Sequence, residues 1–122
     1  MAHGLLTIDL GAVVRNWRRL CEMHAGGAVS AVVKANAYGL GATPIATALR
    51  DAGCRHFFVA TVEEGEALRD ALGEDPMIAV LDGFRARQHP RLTPVLNSLE
   101  EIRAHSGAVI LHVDSGMSRL GL

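Results

Sequence analysis

The sequence predicts an α/β protein built on a parallel sheet. Three observations carry this. Short apolar runs recur along the chain at 28–33, 56–60, 77–81, 92–96 and 108–113. Segments with helical periodicity or helix caps lie between them. The composition, 49% hydrophobic and 20% charged over 122 residues, is that of a globular chain rather than a disordered one. Strands that alternate with helices argue for a parallel sheet, whose members are buried on both faces and read as unbroken apolar runs. Alternation alone leaves an open doubly wound sheet and a barrel equally open.

Each element has its own signal. Leu10, Val13, Val14, Trp17, Leu20, Cys21 and His24 fall on one helical face, with Asp9 as N-cap and Gly26–Gly27 as the stop. Residues 28–33 (AVSAVV) predict a buried strand, followed by the loop KANAYGLGA. Thr43 as N-cap and Pro44 at the first helical position predict a helix that Gly53 closes. HFFVA at 56–60 reads as a strand, and Thr61 with Glu64 forms a capping-box pattern for a helix ending at Gly73. MIAVL at 77–81 is a strand, with a short helix expected after Gly83 and stopped near Pro90. The strand at 92–96 is weakened by Pro94. Ser98 and Glu101 make a second capping box for a helix ending at Gly107, and AVILHV at 108–113 is the fifth strand.

Composition excludes several function classes. Eleven arginines and one lysine balance 13 acidic residues to a formal charge of −1, which gives no electrostatic footprint for nucleic acid. No apolar run reaches the roughly 18–20 residues of a membrane span. The start, MAHGLLTIDL, lacks the pattern of a signal peptide. Cys21 and Cys54 form neither a metal spacing nor a disulfide framework, which favours a reducing, cytoplasmic setting.

Ligands of parallel α/β folds bind at the carboxyl ends of the strands. Two polar loops stand there, 34–41 after the first strand and 114–121 after the fifth. Lys34, the sole lysine, directly follows SAVV. A dry strand end would disfavour its ammonium form, as an amine nucleophile requires, whereas a solvent-facing strand end would let it snorkel. Arginine cannot lose its proton or form an imine, so a lysine kept only here draws notice. Tyr38 can offer a hydroxyl to a phosphate or carboxylate, or simply pack on the rim. Gly39 and Gly41 fall short of a nucleotide-binding loop. Arg119 can grip an oxyanion or pair with Asp114 at the surface. His3, His24, His56, His89 and His105 show no ligand spacing, and no metal site is expected. His112, near the end of the fifth strand, reads equally as a buried structural histidine or a site residue. Met117 reads as loop filler and Glu63–Glu64 as an acidic first turn.

Four segments carry a family resemblance. AVVKANAYGLGA (31–42) closely resembles the lysine signature of the alanine racemases, fold-type III pyridoxal phosphate enzymes. LTIDLGAVVRNWRRL (6–20), FFVATVEEGEALR (57–69) and HVDSGMSRLGL (112–122) are similar, in order, to that family's amino-terminal strand and helix, its second strand and helix, and its D-[ST]-G-M-x-R-[LI]-G motif. The resemblance implies that Lys34 holds pyridoxal phosphate as an imine and serves as one of two catalytic bases, while the cofactor acts as electron sink. Tyr38 would bind the cofactor phosphate and Arg119 its phenolic oxygen. Met117 would lie by the substrate carboxylate through its backbone N–H. The residue two before the motif's aspartate, often a carbamylated lysine in the family, is here His112.

The resemblance also implies an architecture. Residues 1–122 would form about five βα units, the amino-terminal part of a TIM-type (β/α)8 barrel. The rest of the barrel and a carboxy-terminal β domain, bearing the second base, would lie outside this chain. Five strands do not close a barrel of about 250 residues, so the 122-residue chain by itself is expected to be poorly stable and inactive. The full protein would be a cytoplasmic homodimer acting on alanine and supplying D-alanine for peptidoglycan. The alternatives are a serine or broad-specificity racemase and a non-catalytic pyridoxal phosphate-binding barrel remnant.

Overall fold

The computed structural model describes residues 3–84 and 89–122. The short helix expected after Gly83 falls largely on residues 85–88 and so lies outside the described residues. Helix α1 (Leu10–Met23) opens where Asp9 Oδ1 accepts the Ala12 N–H at 3.0 Å, as the sequence predicts. It ends at His24, just before the glycines. Its stripe of Leu10, Val13, Val14 and Trp17 rests on the core, and the Trp17 indole N–H donates to the Val29 carbonyl at 2.9 Å.

Strand β1 is only Ala31–Val32, shorter than the expected 28–33. It pairs with a single neighbour, and its side chains alternate between the two faces, so Ala31 and Val33 are buried while Val32, on the opposite face, stays 47% exposed. After it come the turn α2 (Lys34–Tyr38) and helix α3 (Ala42–Asp51). Helix α3 starts two residues earlier than a Thr43 cap would place it, with Gly41 at the N-cap. Pro44 therefore sits in the first turn, where the missing N–H would have had no helical partner. The helix closes in a Schellman arrangement, with Gly53 N–H on Arg50 O and Cys54 N–H on Leu49 O.

Strand β2 (His56–Val59), α4 (Val62–Leu72), β3 (Met77–Val80), β4 (Thr93–Leu96), α5 (Leu99–Ala104) and β5 (Ile110–Leu111) complete the chain. The five strands are all parallel and follow the order β1-β2-β3-β4-β5. A doubly wound sheet reverses its strand order at a switch point, whereas a barrel adds each strand beside the last. The unbroken order is that of a barrel wall.

Register aligns Ala31, Phe57 and Ile78, and likewise Val59 with Val80, on one face of the sheet. Ile45, Ala46 and Leu49 of α3 and Leu68 and Leu72 of α4 bury this face, and the core lies there. Pro94 leaves the β3–β4 ladder with two residue pairs. Beyond it the Asn97 side-chain amide donates to Leu81 O at 2.9 Å and continues the tie between the strands.

Candidate functional site

Because every strand is parallel, all five carboxyl ends share one edge of the sheet, and both polar loops emerge there. Lys34 leaves the end of β1 and enters a turn of left-handed helix. Ala35, Asn36 and Ala37 lie at φ 51, 53 and 54° with ψ between 46 and 49°, and Tyr38 follows at φ 56°. For residues other than glycine this hand costs roughly 1–2 kcal/mol per residue, so the turn must be held from outside. Several bonds hold it. Ala37 N–H donates to Val33 O at 3.0 Å, and Gly41 N–H donates to Asn36 O at 2.9 Å. The Asn36 side chain accepts the Ala42 N–H at 2.9 Å and caps α3 from the loop. Buried Ala37 plugs the turn into the core.

The remaining anchor is Glu64. Thr61 Oγ1 accepts the Glu64 N–H at 3.4 Å, which is half of the expected capping box. The carboxylate does not complete the box. One oxygen accepts the Ala60 N–H at 2.8 Å, at the end of β2, and the other accepts the Ala35 N–H at 2.9 Å, beside Lys34. An acidic residue in a first turn conceals this role in the sequence, since its partner lies 29 positions away.

The loop after β5 is closed by its own backbone. Leu122 N–H donates to His112 O and Asp114 N–H to Leu122 O, each at 2.9 Å. A Cβ at Gly121 would meet Asp114 N at 2.8 Å and His112 O at 3.0 Å, and its φ is +105°, so this closure needs glycine. Asp114 Oδ1 accepts N–H groups from Gly116 at 2.9 Å and Ser118 at 3.0 Å. These backbone donors, with a further contribution from the Met117 N–H, hold the Asp114 carboxyl below its ordinary value of 3.8. A carboxyl with a lowered folded pKa contributes order above its unfolded value and loses it as pH falls through the folded one. The Gly116 and Ser118 amide signals are therefore expected to titrate together in NMR spectra, with a midpoint below 3.8. A midpoint at or above that value would contradict the loop geometry.

His112 lies one residue beyond β5, and its N–H still pairs with Leu96 O. Asn97 donates through Nδ2 to Leu81 O and Val95 O, which turns its Oδ1 toward His112 Nδ1 at 2.8 Å. The Asn97 oxygen only accepts, so His112 carries a proton on Nδ1.

Lys34 is half-buried rather than enclosed in a dry strand end, because β1 is an edge strand. Tyr38 is 64% exposed, Met117 71% exposed, and Arg119 exposed. Among the described residues nothing hydrogen-bonds the Lys34 amine, the Tyr38 hydroxyl or the Arg119 guanidinium. The fold brings Lys34 and Tyr38 together after β1, and Met117 and Arg119 together after β5. The two pairs share the carboxyl edge but stand at its opposite lateral ends, with β2, β3 and β4 between them. Among the described residues no three His, Cys, Asp or Glu side chains gather as a metal site, and no helix is long and apolar enough to cross a membrane.

Residues 8–122 match the family model for the alanine racemase N-terminal domain. The chain belongs to the alanine racemase family. It is 47% identical, over its whole length, to an alanine racemase of Cereibacter sphaeroides, of which it covers 38%. It superposes on the alanine racemase of Bartonella henselae, crystallised with covalently bound pyridoxal phosphate. There the TM-score is 0.81 and the identity 44%, covering 93% of this chain and 36% of that one. A histidine racemase from Leuconostoc mesenteroides is also similar, at TM-score 0.74 and 30% identity, covering 92% of this chain and 34% of that one. The chain thus spans little more than a third of the alanine racemases it matches. Within the family its parallel five-strand sheet corresponds to the N-terminal barrel domain.

Proposed function

We propose that this chain supplies the cofactor-holding part of a pyridoxal phosphate-dependent alanine racemase, which interconverts L- and D-alanine. The observation that carries the reading is Lys34. It presents a primary amine at the carboxyl edge of a barrel-type sheet, on a constrained turn, with no group among the described residues bonded to it. The donor set suits the cofactor. An aldehyde requires an unpaired amine, and a phosphate and a phenolic oxygen require hydrogen-bond donors. Lys34, Tyr38 and Arg119 offer these, and among the described residues no carboxylate is bonded to any of them.

In this reading Lys34 holds the cofactor covalently, Tyr38 donates to its phosphate and Arg119 donates to its phenolic oxygen. Bound pyridoxal phosphate supplies an electron sink for the charge left when the α-proton departs. Once the substrate amine displaces it from the cofactor, the Lys34 amine would take the α-proton from one face of the substrate, the second base delivering a proton to the opposite face, with the roles exchanged in the reverse direction. The Met117 N–H would face the substrate carboxylate, sharing it with Asp114, toward which it already points. His112, held through Nδ1 by Asn97, would leave Nε2 as an acceptor for the arginine of the same loop. Residues 1–122 form the N-terminal part of the barrel. A homodimer in the cytoplasm, a second base from the rest of the protein, and D-alanine supply for peptidoglycan complete the proposal.

The likeness to a histidine racemase favours one alternative, racemisation of a different amino acid, because the matched third of these proteins does not fix the substrate. Complementation separates the two. The whole gene is expected to rescue growth of a D-alanine auxotroph. Failure to rescue, with racemisation of another amino acid by the purified protein, would overturn alanine as substrate.

A further inference from the structure

We infer that Glu64 is a positioning residue for Lys34, an inference that rests on the role of Lys34 proposed above. The Glu64 carboxylate spans two backbone donors, Ala60 N–H at 2.8 Å and Ala35 N–H at 2.9 Å. The first fixes the carboxyl end of β2, and the second fixes the peptide that leaves Lys34. Ala35 is also where the backbone reverses hand, from φ −122° at Val33 to φ +51°. Glu64 thus reaches the turn from a different element, tying it to β2 and α4. Asn36 ties the turn only to α3, which continues from the same loop.

A carboxylate is the side chain this geometry needs, because both partners donate. Glutamine has one accepting oxygen, and its NH2 would face an N–H. Without the second bond, Lys34 would start from a turn whose unfavourable hand is no longer restrained, and its amine would spread over more orientations. Capture of an aldehyde depends on where the amine points, and a misplacement of about 1 Å lowers such a step by up to about a hundredfold. Non-covalent docking of the cofactor depends far less on it.

The test uses the whole protein with Glu64→Gln and Glu64→Asp, and with Arg69→Lys at the other end of α4 as a control for lost stability. Each is stripped of cofactor and mixed with pyridoxal phosphate, and the covalent adduct is followed by absorbance and by borohydride trapping with mass mapping. Glu64→Gln is expected to slow adduct formation at saturating cofactor by roughly ten- to a hundredfold, with the half-saturating concentration little changed. Glu64→Asp, which keeps two oxygens on a shorter arm, should fall between. Arg69→Lys should lower the melting temperature and leave the rate intact. Equal rates in Glu64→Gln and the parent, with the adduct still on Lys34, would overturn the inference alone. An adduct that does not map to Lys34 in the parent would overturn the proposed role of Lys34. If Glu64→Gln does not fold, Glu64→Asp decides: a parental rate sinks the inference and a reduced one supports it.

Discussion

Replacing Lys34 with alanine or arginine is expected to abolish covalent capture of pyridoxal phosphate and lower racemisation by at least about three orders of magnitude. The chemistry is asymmetric between the two cations. Lysine can shed its proton and present a lone pair to an aldehyde, whereas arginine holds its charge at every accessible pH and adds no carbon–nitrogen bond. Lys34→Arg would therefore preserve charge and reach while removing the reaction. Lys34 is the only lysine among these 122 residues, so a pyridoxyl group mapped to this part of the protein has one lysine to fall on. Borohydride reduction of the parent should add one pyridoxyl group to the peptide containing Lys34. Undiminished labelling of Lys34→Ala would show that the amine lies elsewhere. The left-handed turn that follows Lys34 does not depend on its side chain, as the bonds that hold the turn come from Val33, Asn36 and Glu64. Lys34→Ala should accordingly fold like the parent, so that loss of capture reports chemistry rather than collapse.

What the sequence made legible was local, and what it hid was long-range. Asp9, Thr61 and Ser98 were readable as N-caps because a cap and the N–H it accepts lie three residues apart, and all three accept the expected N–H. The alternating apolar runs pointed to the parallel sheet, since burial on both faces leaves a continuous apolar segment. Barrel order was not in the runs themselves, because periodicity describes a strand and not its neighbours. It came from the family resemblance and is borne out by the sheet order. Edge position was equally invisible, and so β1 and β5 are each two residues long where longer strands, 28–33 and 108–113, were expected. The turn at Lys34–Tyr38 gave no warning either. Alanine favours the right-handed helix, and here two alanines and one asparagine adopt the opposite hand because Glu64 and α3 hold them there. Both acidic capping partners misled in the same way. Glu64 and Glu101 each reach past the cap to the N–H before it, Ala60 and Asn97 respectively. Lys34, Tyr38, Met117 and Arg119 were nameable from motifs, while their separation into two groups at the ends of one sheet edge required the fold.

Arg69 carries the largest expected effect on stability, and it lies outside the proposed site. It stands in the last turn of α4, where a cation is favourable toward the helix dipole. The structure buries it to 5% exposure, and among the described residues no carboxylate is bonded to it. Its guanidinium donates to three carbonyls instead: Gly73 O and Pro76 O, each at 2.7 Å from Nη1, and Arg91 O at 2.9 Å from Nε. Those acceptors belong to the end of α4, the approach to β3 and the approach to β4, so one side chain fastens three segments. Burial pushes the guanidinium pKa down from its usual value, and Glu74 counters that shift from the surface. Arg69→Met keeps the apolar stem and its packing but leaves the carbonyls without donors. An unsatisfied buried acceptor costs about 1–3 kcal/mol, and partial rehydration limits the sum, so a loss of about 3–5 kcal/mol is expected. That is a large share of the roughly 5–15 kcal/mol that stabilises a typical domain. Urea titration of the whole protein should show the midpoint lowered with an unchanged slope. Arg69→Lys should recover part of the loss, since one ammonium reaches fewer of the carbonyls than a planar fork. The neighbouring Arg91 provides the contrast. It pairs with Glu74 at 2.7 Å and Asp70 at 3.2 Å, but all three side chains are about half exposed or more. Solvent screens such pairs, and Arg91→Ala should barely move the midpoint. If Arg91→Ala proved as damaging as Arg69→Met, ion pairing at the surface rather than the buried carbonyl bonds would be what holds β3 and β4 to the helix.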